Sequence, residues 1–117
     1  MPTIQVIHKG GGVVEVYRGT EFVGVKDAVL WQFHSLKPDE VDSAKVEINQ
    51  GTKFFKSRGG GGQNSRTTDL DSGRGHLLGT APDYNRDGSY DEKYSVEFLL
   101  NGKQVAYEDP HIVVDKP

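Results

Sequence analysis

The stretch Tyr94-Ser-Val-Glu-Phe-Leu-Leu-Asn-Gly-Lys-Gln-Val-Ala-Tyr107 decides the fold class of this chain. Its two halves are rich in aliphatic and aromatic residues, and the pair Asn101-Gly102 separates them. Asn-Gly is a strong short signal for a two-residue β-turn, because both central positions of a type I′ turn need a positive φ angle. The stretch therefore predicts a β-hairpin.

The other apolar runs of the chain repeat this pattern. They are short, rich in β-branched residues and bounded by glycine or asparagine, and their dominant period is two residues, which is typical of strands. Trp31 and Phe33 lie on one face of such a strand and are predicted to fill the core, whereas Gln32 and His34 lie on the other face. The predicted strands are Thr3–His8, Val13–Arg18, Glu21–Val25, Val29–His34, Lys45–Asn49, Lys53–Phe55, Tyr94–Leu100, Lys103–Tyr107 and His111–Val114.

This series of strands predicts an all-β fold, a two-sheet antiparallel β-sandwich of the immunoglobulin-like kind. The length of 117 residues fits a single domain with one core. Only Lys37–Ala44 has helical character, and it is short enough to form one turn. The strand pattern is lost between residues 56 and 80, where four consecutive glycines follow Arg58 and His76-Leu-Leu78 predicts one brief strand. We expect a mobile glycine-rich loop at 56–80.

Composition and charge exclude several kinds of partner and site. The chain has 14 Lys and Arg residues, 17 Asp and Glu residues and a net charge of −3, without a long block of either sign, so neither nucleic acid nor a membrane is an expected partner. The lack of cysteine excludes disulfides and thiol nucleophiles. The first residues do not have the regions of a signal peptide, and we expect a soluble, cytoplasmic protein. Exposed strand edges would allow a homo-oligomer or a protein partner.

The dipeptide Asp109-Pro110 joins the predicted hairpin to the last strand and carries unusual bond chemistry. The aspartyl carboxyl group can attack its own carbonyl carbon, and the departing proline nitrogen belongs to a tertiary amide without an N–H group. A fold that held this bond beside a proton donor could cut itself. The alternative is an ordinary turn, because proline fixes φ and pushes the residue before it into an extended conformation.

Cleavage of this bond would pass through a cyclic anhydride of Asp109, which either water or a neutral Lys93 amine could open. The leaving nitrogen needs a proton from an acid within hydrogen-bond reach. Asp91, Glu92 and Glu108 are the local candidates, and the sequence does not rank them.

A second motif precedes the hairpin and predicts a calcium loop. Oxygen ligands at positions 1, 3, 5, 7 and 9, with Gly88 at position 6, match the first part of an EF-hand, although Tyr94 stands where that loop has glutamate. The alternative is an acidic loop whose side chains bond their own backbone. The four histidines are scattered without the spacing of zinc or copper sites, so we expect no cofactor other than calcium. The five predicted calcium ligands are Asp83, Asn85, Asp87, Ser89 and Asp91.

The C-terminal quarter resembles a known family. A strand Lys93-Tyr-Ser-Val-Glu-Phe98, a hairpin, the segment Glu108-Asp-Pro-His-Ile-Val-Val114 and the proline at 117 are similar to the DP-EP family of small bacterial self-cleaving β-sandwich proteins. The resemblance implies autoproteolysis at Asp109-Pro110, with the released segment still packed as a strand. It also implies that Lys93 can form an isopeptide link to the cleaved aspartate.

Two hypotheses from different functional classes follow. The first is a self-cleaving β-sandwich, an aspartic-type peptidase that acts on its own chain through Asp109, Pro110 and Lys93. The second is a non-enzymatic binding module that uses the loop 83–91 and the glycine-rich loop.

Overall fold

The computed structural model describes residues 2–17, 20–24, 26–49, 52–56, 61–82 and 90–115. These residues are nearly all in strands, which confirms the all-β prediction, and one 3-10 turn at Pro38–Glu40 accounts for the helical character of that region. None of the helical structure within these ranges is long and apolar enough to cross a membrane. The strands are β1 (Thr3–Gly10), β2 (Val13–Tyr17), β3 (Thr20–Gly24), β4 (Ala28–Ser35), β5 (Ser43–Ile48), β6 (Phe55–Lys56), β7 (Gly62–Gln63), β8 (Ser65–Asp69), β9 (Arg74–Thr80), β10 (Tyr90–Leu100), β11 (Lys103–Glu108) and β12 (His111–Asp115).

Two large sheets enclose the core in a sandwich-like arrangement. The first sheet has the strand order β2-β1-β4-β9, and the second has the order β3-β12-β10-β5-β8, with β11 also paired to β10. The short strands β6 and β7 form a separate pair. The predicted hairpin at Asn101-Gly102 is confirmed: both residues have positive φ angles, 52° and 78°, as the turn requires.

The prediction of purely antiparallel sheets is wrong at two places. Strand β4 runs parallel to β1, and β12 runs parallel to β3. The first parallel pair follows from the path of the chain. Strand β2 pairs antiparallel with one side of β1, and β3 then joins the other sheet. Strand β4 returns to the other side of β1 and runs in the same direction as β1. The immunoglobulin-like arrangement stays a prediction.

Much of the segment 56–80, which the sequence predicts as a mobile glycine-rich loop, forms strands instead. Residues 57–60 lie outside the described part of the chain, but residues 62–80 form β7, β8 and β9. Strand β8 escapes prediction because it is a polar edge strand, whose backbone hydrogen bonds come from β5 and whose side chains are mostly exposed or half-buried. Ser72 and Gly73, with φ angles of 51° and 78°, then turn the chain into β9.

The core lies between the two large sheets, and aromatic rings from both sides meet there. Trp31 and Phe33 are buried, as the alternation of β4 predicts. The Trp31 ring centroid lies 5.7 Å from that of Tyr94, and the Phe33 centroid lies 5.8 Å from that of Phe98, both in edge-to-face geometry. These contacts join β4 of the first sheet to β10 of the second, so they fix the position of β10 and of everything paired to it.

The buried polar residues include a histidine that packs against this apolar core. The His8 side chain is only 1% exposed. Its Nδ1 atom lies 2.7 Å from Ser35 Oγ, and its Nε2 atom lies 4.0 Å from the Glu40 carboxylate. Burial lowers the pKa of His8 from its ordinary value, and the Glu40 charge opposes part of this shift.

This histidine predicts a pH dependence of stability. A histidine in the unfolded chain takes up its proton near pH 6.5. In the folded chain, the lowered pKa keeps the His8 imidazole unprotonated to a lower pH. The unfolded state therefore binds more protons in this window, and the free energy of unfolding should fall as the pH drops below about 6.5. Urea unfolding between pH 7.5 and pH 5.5 measures this effect.

The matched variants are His8→Gln and His76→Gln, since His76 is exposed. The first should flatten the pH dependence and the second should not. An unchanged slope in His8→Gln would show that another group causes the dependence.

Candidate functional site

The Asp109–Pro110 bond lies between two strand pairings of the same register rather than in a turn. Val96 of β10 faces Glu108 of β11, and three residues earlier Lys93 faces His111 of β12. The two pairings share one register, so Asp109 and Pro110 fill the two positions between them. The Tyr94 N–H donates a hydrogen bond of 3.0 Å to the Pro110 carbonyl. At Pro110 the pairing lacks the second hydrogen bond, because proline has no N–H group to donate.

The alternation of side chains along β10 determines which of them share a sheet face with Asp109 and which share a face with Pro110. Glu92 and Tyr94 of β10 are buried, whereas Asp91 and Lys93 are exposed. Residues that face each other across a ladder share one face of the sheet. Asp109 is exposed and Pro110 is buried, in agreement with this rule. The reactive carboxyl group therefore lies on the outer face with Lys93, and the proline ring lies on the inner face with Glu92.

Glu92 is the interior acid of this region. Its side chain is 0% exposed, and its Oε1 atom accepts a hydrogen bond from the Thr52 hydroxyl. Its Oε2 atom has no hydrogen-bond partner among the described residues. Glu92 faces Ile112, two positions from Pro110 on the same inner face, which makes Glu92 and Pro110 diagonal neighbours. Such neighbours lie about 7–8 Å apart and are within reach of a long side chain.

The other two candidate acids already have partners on the outside of the protein. Asp91 is exposed, and its Oδ1 atom lies 3.1 Å from His111 Nδ1. Glu108 is also exposed, and its Oε1 atom accepts a hydrogen bond of 3.1 Å from the Asp109 N–H. Glu108 can thus hold the backbone of Asp109, but Glu92 is the buried one of the three acids.

Lys93 occupies the position from which it can approach Asp109. It lies opposite His111, so it is a diagonal neighbour of Asp109 on the outer face. Its ammonium group forms no salt bridge with any residue in the described part of the chain, whereas Lys9 and Lys45 each have a glutamate partner. The flexible lysine side chain can therefore turn toward the aspartate without breaking a salt bridge to a described residue.

The predicted calcium loop lies largely beyond the described ranges, which leave out Asp83, Asn85, Asp87 and Ser89. Asp91 is described, and it belongs to strand β10 with its carboxylate next to His111. Within residues 2–17, 20–24, 26–49, 52–56, 61–82 and 90–115, no group of three or more His, Cys, Asp or Glu side chains is arranged to hold a metal ion. Calcium binding stays a prediction.

Thr52 is the member of this cluster that the sequence does not reveal. It lies 40 residues before Glu92, and its side chain is 3% exposed. A lone threonine next to glycine carries no motif, so only the packing of the segment 52–54 beneath β10 brings the hydroxyl to the carboxyl group.

Comparison with known proteins finds distant likenesses among solved structures. No family model and no curated protein matches the chain. Among solved structures, a multicopper oxidase crystal structure is similar with a TM-score of 0.49 and 11% identity, over 97% of this chain and 44% of the oxidase chain. The N-terminal domain of phage TP901-1 ORF48 is similar with a TM-score of 0.38 and 12% identity, over 99% of this chain and 100% of that domain. The chain thus spans less than half the length of the oxidase.

Proposed function

We propose that this protein cuts its own backbone between Asp109 and Pro110. One observation carries the proposal: the bond lies between two strand pairings that share one register on β10, with the Asp109 carboxyl group on the outer face and the buried Glu92 diagonal to Pro110 on the inner face. An attacking group and a proton donor thus flank the bond from opposite sides of the sheet.

The first step is an attack within one residue. An oxygen of the Asp109 carboxylate bonds to the main-chain carbonyl carbon of the same residue, and a five-membered anhydride forms as the C–N bond to Pro110 breaks. Proximity supplies much of the acceleration, because attacker and target are joined covalently. The proton that the leaving nitrogen needs comes from the Glu92 carboxyl group, which Thr52 holds in place.

The second step opens the anhydride. Water gives two carboxyl groups on Asp109 and ends the reaction as hydrolysis. If the neutral Lys93 amine attacks instead, an amide bond forms between its Nζ atom and an Asp109 carbonyl carbon, the amine loses one proton to solvent, and the other carbonyl is released as a carboxylate. The outer-face position of Lys93, diagonal to Asp109 and without a salt bridge to another described residue, supports this second route.

The mass of the intact protein tests the proposal. After incubation at neutral pH and denaturation without acid, we expect a main fragment that ends at Asp109 and an eight-residue fragment that begins at Pro110. A main fragment one water lighter than the hydrolysis product indicates the Lys93 link, and Lys93→Arg should then restore the hydrolysis mass.

Asp109→Ala is the control for the aspartyl mechanism, and its chain should remain whole. A wild-type chain that stays uncut after long incubation would contradict the proposal, as would an Asp109→Ala chain cut after residue 109. Low pH must be avoided throughout, since acid breaks Asp–Pro bonds without any help from the fold.

A further inference from the structure

The outer face of the first sheet carries a straight row of side chains that the proposed cleavage does not use. Gln5 of β1 faces Tyr17 of β2 on one side and Gln32 of β4 on the other, and Gln32 faces His76 of β9. The row crosses all four strands at right angles. With a strand spacing of about 4.8 Å, it is about 14 Å long.

An open polar cleft of about 550 Å³ lies over Gln5, Gln32 and His76 of this row, and Tyr17 extends the row beyond it. The Gln5 amide donates a hydrogen bond of 2.5 Å to the Gln32 amide oxygen, and this contact fixes both planar groups in the floor. Neighbouring side chains complete the walls. The polar residues that line the cleft are Gln5, Gln32, His34, Asp71, Arg74 and His76.

Several polar side chains in the walls of the cleft form no hydrogen bond with another described residue. The imidazoles of His34 and His76 and the guanidinium of Arg74 have no hydrogen bond or salt bridge to another residue in the described ranges, so a ligand can replace the water around them without breaking a contact within the protein. Arg74 contributes one positive charge and Asp71 one negative charge, so the cleft carries no formal excess of either sign at neutral pH. A strongly charged ligand gains little from such a site.

We infer that this cleft binds a neutral carbohydrate chain. Each sugar hydroxyl group both donates and accepts hydrogen bonds, and the cleft offers donors on Arg74, acceptors on Asp71 and both on the amides. Tyr17 is 53% exposed at the end of the row, where its ring offers an apolar platform for the C–H face of a sugar. A row about 14 Å long suits several linked sugar units rather than a single compact molecule.

Chemical-shift perturbation tests the inference. The ¹⁵N-labelled Asp109→Ala chain, whose integrity does not depend on the proposed cleavage, is titrated separately with maltohexaose, cellohexaose and xylohexaose. At least one of these should shift the amide signals of Gln5, Gln32 and His76 in a saturable manner. Gln32→Ala should weaken that binding about tenfold, the loss expected for an amide hydrogen-bonded to ligand.

Gln104→Ala is the matched control, because Gln104 is an exposed glutamine on β11 in the second sheet, and it should leave the affinity unchanged. Tyr17→Ala should weaken binding without altering the unliganded spectrum of β4. Inorganic phosphate and citrate serve as charged probes. No shift with any of the three sugars would overturn the inference, and so would shifts of the same amides with phosphate or citrate alone.

Discussion

Glu92→Gln is expected to slow cleavage of the Asp109–Pro110 bond by about 10²–10⁴-fold, the usual contribution of a positioned general acid. The substitution keeps the shape of the side chain and its contact with the Thr52 hydroxyl, but it removes the proton that the Pro110 nitrogen must receive. Cleavage is best followed from the moment of synthesis in a cell-free translation reaction, with the released eight-residue fragment quantified by mass spectrometry over time.

Two matched variants separate this role from a general loss of negative charge. Asp91→Asn and Glu108→Gln remove the exposed carboxylates on either side of the bond, and both should be cut at a rate close to that of the wild type. Thr52→Val should slow cleavage less than Glu92→Gln, because the acid remains but its orientation is lost.

A buried glutamine N–H without a partner costs about 1–3 kcal/mol. Thermal unfolding must therefore establish that Glu92→Gln is folded at the assay temperature. Rapid cleavage of folded Glu92→Gln, together with an intact Asp91→Asn or Glu108→Gln chain, would assign the proton donor to that exposed carboxyl group instead of Glu92.

Trp31→Ala should reduce the free energy of unfolding by about 3–5 kcal/mol, which is the usual cost of truncating a fully buried aromatic residue. The Trp31 ring is 0% exposed and meets Phe54, Phe55 and Tyr94, with centroid distances of 6.4, 5.7 and 5.7 Å. Since a small domain has a total stability of about 5–15 kcal/mol, this loss is a large fraction of the whole. Urea denaturation followed by far-UV circular dichroism measures the change.

Trp31→Phe provides the comparison. It preserves an aromatic ring and removes an indole N–H that has no hydrogen-bond partner in the described part of the chain. The loss of stability should therefore be well below that of Trp31→Ala, because removing an unsatisfied buried donor offsets part of the lost packing. Equal losses in the two variants would show that the N–H group has a partner or that the core does not depend on the size of this ring.

The elements that the sequence predicts well are those in which one face is buried. The alternation around Trp31 and Phe33 specifies a core strand, and Asn101-Gly102 specifies a tight turn, since each signal is local and has one structural solution. Strand β8 has no such signal, because an exposed edge strand buries too little to require alternation. The two parallel pairings depend on long crossover connections, and nothing in the sequence of either strand indicates them.

The residues of the candidate site can likewise be predicted only in part from the sequence. Glu92, Lys93 and Asp109 can be selected from the sequence because they are close along a predicted hairpin. The sequence does not show which of the three acids is buried, since the burial of Glu92 depends on the distant segment that contains Thr52. The sequence also does not predict that β11 and β12 pair with β10 in one register. Asp-Pro is typical of a turn, but here the chain continues in the same direction through it.

The position of β12 between two neighbours has a thermodynamic consequence once the chain is cut. Strand β12 pairs with β10 on one side and with β3 on the other, and its Ile112 and Val114 side chains are buried in the core. The cut protein is then a heterodimer of a long and a short peptide, and its refolding is bimolecular. Its melting temperature rises with protein concentration, whereas that of the uncut chain does not. A synthetic peptide with the sequence of residues 110–117 can exchange into the groove that the strand leaves.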